Sequence, residues 1–363
     1  MPARLTRRNL LGSAAAAATL VGLGAKPRAQ EPVKAGFVYV GPVGDHGWSY
    51  RHDVGRKAVE EALGDQVATT FVENVSEGPD AERVIRQLAA GGNQIVFTTS
   101  FGFMNPTVRV AQQFPDVKFE HCTGYKTADN LAVYNARFYE GRTVIGHIAG
   151  HMSQSGIVGY IVSFPIPEVV MGINAFFLAA RKINPELQVR IVWVNSWYDP
   201  GKEADAAKTL IDQGADIIVQ HTDSPAPLQV AEERGVYAFG QASDMRKFAP
   251  NAQLTAIVDD WGPYYIERVK AVQAGTWETH NIWWGLKEGM VEIAPYGPAV
   301  PAEVAQQADA IKNAIIAGEL HPFAGPIYNQ AGEQVVAEGQ HLSDEEILRM
   351  DYYVQGIEGS LPT

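Results

Sequence analysis

Two tryptophans follow segments that the sequence predicts to be buried strands. Trp48 lies in GPVGDHGWSY, directly after the apolar run at residues 33–40, and Trp197 lies in NSWYDP, directly after residues 190–194. Aromatic side chains at strand ends can stack on a flat ring, and each such contact contributes about 1–3 kcal/mol with a nucleobase. Because sugars also stack on tryptophan, the pair does not by itself select a ligand. Either tryptophan could instead be an ordinary packing residue.

A flat ring is discriminated through polar groups that meet its edge in the plane of the ring. Carboxylates accept hydrogen bonds from an exocyclic amine, and an amide both donates and accepts. The residues at predicted strand ends that could act in this way are Asn105, Glu140, Asp199 and Asp244. Each is also a candidate helix cap or turn residue, and Asp199 before Pro200 is equally well placed to cap the helix that follows.

Motifs that carry catalytic chemistry are missing from the sequence. It contains no GxSxG nucleophile elbow, no GxxxxGK[ST] phosphate loop, no HExxH zinc motif and no GxGxxG after a strand. His147 and His151 are four residues apart but lack a nearby carboxylate in a zinc-binding pattern, and Cys122 ends an apolar run, where it is expected to be a buried small hydrophobe. We therefore expect a binding protein without cofactor or metal.

Composition narrows the class of protein further. The chain has 363 residues, which favours two domains, and its single cysteine excludes a disulfide framework. It carries 41 acidic and 29 basic residues, for a net charge of -12. This excess of acid makes nucleic acid an improbable partner, because such binding relies on Lys and Arg to neutralise phosphates.

Residues 1–30 read as an export signal. Arg7 and Arg8 precede an apolar, Ala-rich run without any acid, which is typical of a twin-arginine signal. The lone cysteine, Cys122, lies far from this segment, so we expect no lipid anchor. The predicted location is the periplasm.

The rest of the chain alternates apolar strand-like runs with amphipathic helical stretches, which predicts an α/β fold with two doubly wound parallel-sheet lobes facing a shared cleft. The first lobe is expected to comprise residues 31–150 together with about 259–325, the second lobe residues 151–258, and a C-terminal tail, residues 326–363, is expected to pack on the lobes. Predicted strands are 33–40, 67–72, 94–99, 118–122 and 131–135 in the first series, and 156–162, 188–194, 216–220, 237–240 and 254–258 in the second. Predicted helices are 47–63, 79–90, 105–114, 168–182, 201–213, 226–234, 260–274 and 304–317, with strand character at 282–293.

The order of these segments resembles the basic membrane protein family of ABC-transporter substrate-binding proteins, whose characterised members resemble purine nucleoside receptors. The resemblance covers roughly residues 33–293. Residues that match family motifs are Asp45, Gly47, Trp48 and Ser49 after the first strand, Phe101-Gly102-Phe103, Glu140 before a helix, Phe164-Pro-Ile-Pro167, Ser196-Trp197-Tyr198-Asp199-Pro200, and the run from Gln213 to His221. The resemblance implies a type I periplasmic-binding-protein-like fold with a hinge, a purine ligand, delivery to a membrane permease and its ATPase, and action as a monomer.

Two departures from the family pattern concern the sugar. Where nucleoside receptors of this family have an Asp and a Lys that hold ribose hydroxyls, this sequence has Ala242 and Asp259, and Trp261 just beyond could fill the vacated volume. Ribose hydroxyls buried without partners would cost about 1–3 kcal/mol each. We therefore expect a free nucleobase, adenine first, between Trp48 and Trp197. A receptor for a nucleoside, flavin or sugar and an exported α/β enzyme are the alternatives.

Overall fold

The computed structural model describes residues 31–362, so the predicted export signal at residues 1–30 lies outside the described residues. The strands are β1 (Val33–Val38), β2 (Val67–Val72), β3 (Ile95–Thr98), β4 (Lys118–Cys122), β5 (Leu131–Ala136), β6 (Ile157–Val162), β7 (Gln188–Trp193), β8 (Ile217–Gln220), β9 (Tyr237–Gly240), β10 (Gln253–Asp259), β11 (Asn281–Trp284), β12 (Val291–Ile293), β13 (Ile327–Tyr328) and β14 (Gln334–Val336). The helices are α1 (Gly47–Leu63), α2 (Pro79–Ala90), α3 (Met104–Ala111), α4 (Phe138–Met152), α5 (Pro167–Ile183), α6 (Pro200–Asp212), α7 (Ala226–Arg234), α8 (Gly262–Ala274), α9 (Ala302–Ala317) and α10 (Asp344–Leu348).

Two six-stranded sheets form the two lobes. The first has the order β11-β5-β4-β3-β1-β2, and all its neighbouring strands are parallel. The second has the order β12-β10-β9-β8-β6-β7 and is parallel except for β12, which runs antiparallel to β10. Their central strands read as continuous apolar runs because helices cover both faces of a parallel sheet. The predicted fold class is confirmed.

In each sheet the strand order reverses at one point, between β1 and β3 in the first lobe and between β6 and β8 in the second. Crevices at such reversal points, beyond the carboxyl ends of the strands, are where open α/β sheets bind ligands. The loops after these strands should therefore hold the site.

The chain crosses between the lobes three times. Helix α4 leads from β5 to β6, the segment around α8 leads from β10 to β11, and a short loop leads from β11 to β12. The strand character predicted at 282–293 is thus divided between the two sheets. The lobe boundaries at residues 150 and 259 remain predictions.

The C-terminal tail is tied to helix α5. The Asn174 side chain donates to the carbonyl of Tyr352 at 2.8 Å and accepts from the amide of Val354 at 3.1 Å. Ile347 and Met350 of the tail are buried. Within residues 31–362, no helix is both long enough and apolar enough to cross a membrane.

Candidate functional site

A cavity lies between the lobes, and its empty space, including its opening to solvent, is about 390 Å³. Loops that follow strand ends of both sheets supply most of its wall, and Glu168 enters from the first turn of α5. The residues that line it are Val40, Trp48, Ser100, Phe101 and Thr123 from the first lobe, and Glu168, Trp197, His221, Asp223 and Gln241 from the second.

Trp48 is fixed on its own lobe. Its indole Nε1 donates to the carbonyl of Thr99 at 2.6 Å, which ties the first turn of α1 to the end of β3. The buried Trp261 packs edge-on behind it, with ring centroids 5.4 Å apart and planes at 74°, and the His52 ring lies at 4.5 Å. The indole is therefore held in one orientation before any ligand arrives.

Trp197 is fixed on the opposite lobe and reaches across the cleft. Its ring packs against Phe164 at a centroid distance of 5.0 Å. Its Nε1 donates to Glu77 Oε1 at 3.2 Å, and the same oxygen accepts from Ser100 Oγ at 2.6 Å and from the Gly102 amide at 3.0 Å. Glu77 thus joins the second tryptophan to the loop after β3.

Carboxyl groups on the wall are held in an environment that favours their neutral form. Burial raises the pKa of Glu168 to about 8, against a hydrogen bond from Asn135 and the charge of Arg142, which lower it. Burial, and then the nearby Glu203, raise the pKa of Asp223 well above its ordinary value, although Asp223 accepts a hydrogen bond from the Trp48 amide. With a pKa of about 8, the Glu168 carboxyl is mainly protonated at pH 7 and can donate as well as accept.

His221 and Gln241 complete the polar side of the cavity. His221 Nε2 lies 4.0 Å from Glu168 Oε1, and burial, followed by the charge of Arg142, lowers the pKa of His221 well below its ordinary value. Buried Arg142 donates to the carbonyl of Gln220 at 3.0 Å and to the side-chain oxygen of Gln241. Among residues 31–362, Glu168 Oε2 and His221 Nδ1 are buried side-chain atoms without a hydrogen-bond partner, so they remain available to a ligand.

Thr123, on the first-lobe wall, has a strained backbone. Its φ is +64°, in the left-handed region that a β-branched residue rarely adopts. Its Oγ1 donates to the carbonyl of Cys122 at 2.7 Å. Such strain costs about 1–3 kcal/mol and clusters at functional sites.

The lobes contact each other at the rim of the cavity. The Gly47 amide donates to Ser243 Oγ at 2.8 Å, and Arg51 Nε donates to the carbonyl of Asp259 at 2.5 Å. Lys247 forms an ion pair with Asp45. These cross-lobe contacts describe a closed arrangement.

Several residues singled out from the sequence lie at or behind this cavity. Trp48 and Trp197 line it, Phe164 packs on Trp197, and Trp261 packs on Trp48. Asp45 lies at the rim, where its side chain is largely exposed and pairs with Lys247. These five positions come together in space.

The remaining five lie elsewhere in the described chain. Phe103 is buried in a core cluster of the first lobe, and Asn105 accepts a hydrogen bond from Lys126 on the surface. Glu140 accepts from the Leu286 amide at 2.8 Å, and its pKa is raised to about 7, chiefly by burial. Asp199 caps α6 by accepting from the Lys202 amide, and Asp244 accepts from Gln253 Nε2 at 2.7 Å. In this closed arrangement local partners occupy all four polar side chains.

The sequence patterns used above did not identify the polar residues that face the cavity. A signal for them exists, because Thr123, His221 and Gln241 each directly follow a strand, and Asp223 lies two residues further on. A search of the first positions after every predicted strand would have found them. Glu168 is the exception, since it lies in the first turn of α5.

The two positions at which the sequence departs from the nucleoside-receptor pattern are both buried. Ala242 has a φ of +58°. Within the described chain, both carboxyl oxygens of Asp259 are without a hydrogen-bond partner, and burial raises its pKa well above the ordinary value. No group of three or more His, Cys, Asp or Glu that could hold a metal ion occurs among the described residues.

Comparison with known proteins identifies one family and relatives that are named for different ligands. The family model for PnrA-like ABC transporter substrate-binding proteins matches residues 32–321. A purine-binding protein of Brucella abortus is 59% identical over 347 residues, covering 95% of this chain and 99% of that protein. A protein of Haloferax volcanii, named for glucose binding by an ABC transporter, is 38% identical over 341 residues, covering 94% of this chain and 84% of its own length.

Solved structures support the fold at lower identity. A solute-binding protein of an ABC transporter system from Aeropyrum pernix superposes with a TM-score of 0.69 at 17% identity, covering 81% of this chain and 94% of that one. One from Conexibacter woesei superposes with a TM-score of 0.64 at 23% identity, covering 80% and 98%. At these sequence identities the structural similarity supports the fold alone.

Proposed function

The chain belongs to the PnrA-like family of ABC transporter substrate-binding proteins, and we propose that its cargo is a purine nucleobase, adenine first, held between Trp48 and Trp197. The family membership confirms the resemblance noted from the sequence. The purine class is supported by the relative that is 59% identical and named for purine binding. The protein would close on the base outside the cytoplasm and present it to a permease and ATPase in the membrane.

One observation carries the proposal. A single cavity receives one indole from each lobe, and polar groups line the wall between them. Stacking on two indoles suits a flat ring, and it brings the lobes together because each indole belongs to a different lobe. Ligand binding and lobe closure would then be the same event.

The edge of the base would be read by Glu168 and Asp223. A protonated carboxyl group donates through its hydroxyl and accepts through its carbonyl oxygen. Adenine offers the matching pair along one edge, a ring-nitrogen acceptor beside an exocyclic amine donor. The raised pKa of Glu168, about 8, keeps this acid in the matching form at neutral pH.

A free base is preferred over a nucleoside because of Ala242 and Asp259. The first offers no side-chain hydrogen bond, and the second offers a buried carboxyl where the resemblance implies a Lys. A ribose there would lose the partner that Ala242 replaces and would meet a carboxyl instead of a cation, which costs affinity when its hydroxyls are buried.

Isothermal titration tests the proposal with adenine, hypoxanthine, guanine, adenosine, riboflavin and glucose. We expect adenine to bind tightest and adenosine to bind at least about tenfold more weakly, the cost of about one unsatisfied hydroxyl. Tight adenosine binding without adenine binding would reverse the choice of base over nucleoside, and binding of glucose alone would overturn the purine class. Mass spectrometry of the purine after incubation tests the enzyme alternative, since chemical conversion would contradict a binding protein.

A further inference from the structure

A second cavity adjoins the one between the tryptophans. It measures about 1240 Å³, including its opening to solvent. Phe101, Thr123 and Glu168 line both cavities, so the two share a wall that consists of only these three residues. We call this second cavity the side chamber.

The C-terminal tail builds part of the side chamber. Glu345, Leu348 and Arg349 lie on its wall, and all three fall outside the match to the family model, which ends at residue 321. The tail is anchored by the ion pair between Arg137 and Asp344, at 2.6 Å. The tail thus closes a chamber whose other nine lining residues lie within the part of the chain that the family model matches.

The chamber offers mainly apolar contact. Phe101, Ile166, Pro167, Met171 and Leu348 contribute apolar side chains to its wall. Exposed apolar side chains are unusual in the described chain, yet Leu348 is 39% exposed on this wall, beside Tyr125. Such surface gains free energy when it is covered by an apolar group.

Most polar groups on the wall are already engaged or carry compensated charge, and Glu168, whose Oε2 lacks a hydrogen-bond partner, is the exception. Thr123 Oγ1 donates to the Cys122 carbonyl, and Asn135 Oδ1 accepts from the Ala136 amide at 2.7 Å. Arg349 is paired with Glu345 at 2.7 Å. A phosphate would therefore meet no free cation on the wall, and a sugar would find few free partners for its hydroxyls.

We propose that the side chamber is a subsite for an uncharged, mainly apolar substituent on the purine, so that the cargo class extends to alkylated or arylated purines. The proposal rests on the function proposed above, because the ring must occupy the tryptophan cavity for its substituent to reach the chamber. The substituent would pass from one cavity to the other beside Phe101, Thr123 and Glu168, which line both.

Titration calorimetry with adenine, N6-benzyladenine and N9-benzyladenine tests this subsite. We expect at least one benzyl derivative to bind about tenfold tighter than adenine, from burial of part of its phenyl ring. Leu348→Trp narrows the chamber and should abolish that gain while leaving adenine affinity unchanged. Leu348→Glu, which places a charge on the apolar wall, should do the same, and Tyr328→Trp, a comparably exposed tail position at 40% that is not on the chamber wall, should change neither affinity.

The outcomes separate the two proposals. If adenine and both derivatives fail to bind, the purine function itself is wrong and the subsite with it. If adenine binds but neither derivative binds more tightly, only the subsite is overturned. A gain in affinity that survives both Leu348 variants also overturns it, because the phenyl group would then lie elsewhere.

Discussion

Trp197→Ala separates stacking on the ligand from packing within the protein. Trp197 is half-buried on a loop, and its ring partners within its own lobe are Phe164 at 5.0 Å and His221 at 6.4 Å. Loss of one stacked aromatic costs about 1–3 kcal/mol, which lowers adenine affinity about 5- to 150-fold. Because the side chain is only half-buried, the loss of stability should stay below the 3–5 kcal/mol typical of a fully buried tryptophan, and Tm should fall by no more than about 5 °C.

The assay is titration calorimetry with adenine, paired with thermal denaturation without ligand. Trp283→Ala is the matched control. Trp283 is also half-buried, and its Nε1 donates a hydrogen bond to the Ala136 carbonyl at 2.8 Å, but it does not line the cavity. We expect the control to lose stability and keep its affinity. If Trp197→Ala melts like the wild type and binds adenine within about twofold, or if the control loses as much affinity, the stacking argument is wrong.

Three further predictions concern charge and closure. Burial raises the pKa of Glu168 to about 8, so between about pH 5 and pH 8 the folded state holds a proton that the unfolded chain releases, and stability falls as pH rises. The Tm of Glu168→Gln should therefore rise relative to that of the wild type from pH 5 to pH 8.5. A constant difference in Tm between the two proteins would contradict this. Gly47 has a φ of +75°, and a Cβ there would lie 2.7 Å from the Asp223 carbonyl oxygen on the other lobe. Gly47→Ala should weaken adenine binding about tenfold and enlarge the radius of gyration measured by solution scattering with adenine present. A variant that stays as compact as the wild type would show that closure tolerates the methyl group. Lys247→Ala removes an exposed ion pair with Asp45, which water and salt screen. Adenine affinity should therefore fall less than about fivefold and lose part of its salt dependence; a larger loss would mean that this pair governs closure.

The sequence predicts the lobes well because both sheets are built from local patterns. The bounds of β2, β4, α1 and α2 agree with their predicted ranges, since apolar periodicity and flanking Gly and Pro mark them. The 282–293 segment was expected in the first lobe as part of residues 259–325, but only β11 joins that sheet, whereas β12 joins the second. Its two strands pair with β5 and β10, and such distant pairing leaves no local signal.

The cavity wall was harder to predict than the fold. The tryptophans stand out by type and position, but a carboxylate at a strand end has several local uses. Asp199 binds the start of its own helix, and Asn105 is held by Lys126, whereas Glu168 faces the cavity from a helical first turn. Which carboxylates face the cavity depends on how the two lobes pack against each other. The spacing of residues along the sequence does not show that geometry directly.

A crystal structure of the protein with adenine tests the central claim most directly. The account predicts density for one flat bicyclic ring between the indoles of Trp48 and Trp197, with its amine edge within hydrogen-bond distance of Glu168 or Asp223. Adenine bound away from the two indoles, or a cavity that stays empty at saturating adenine, would contradict it.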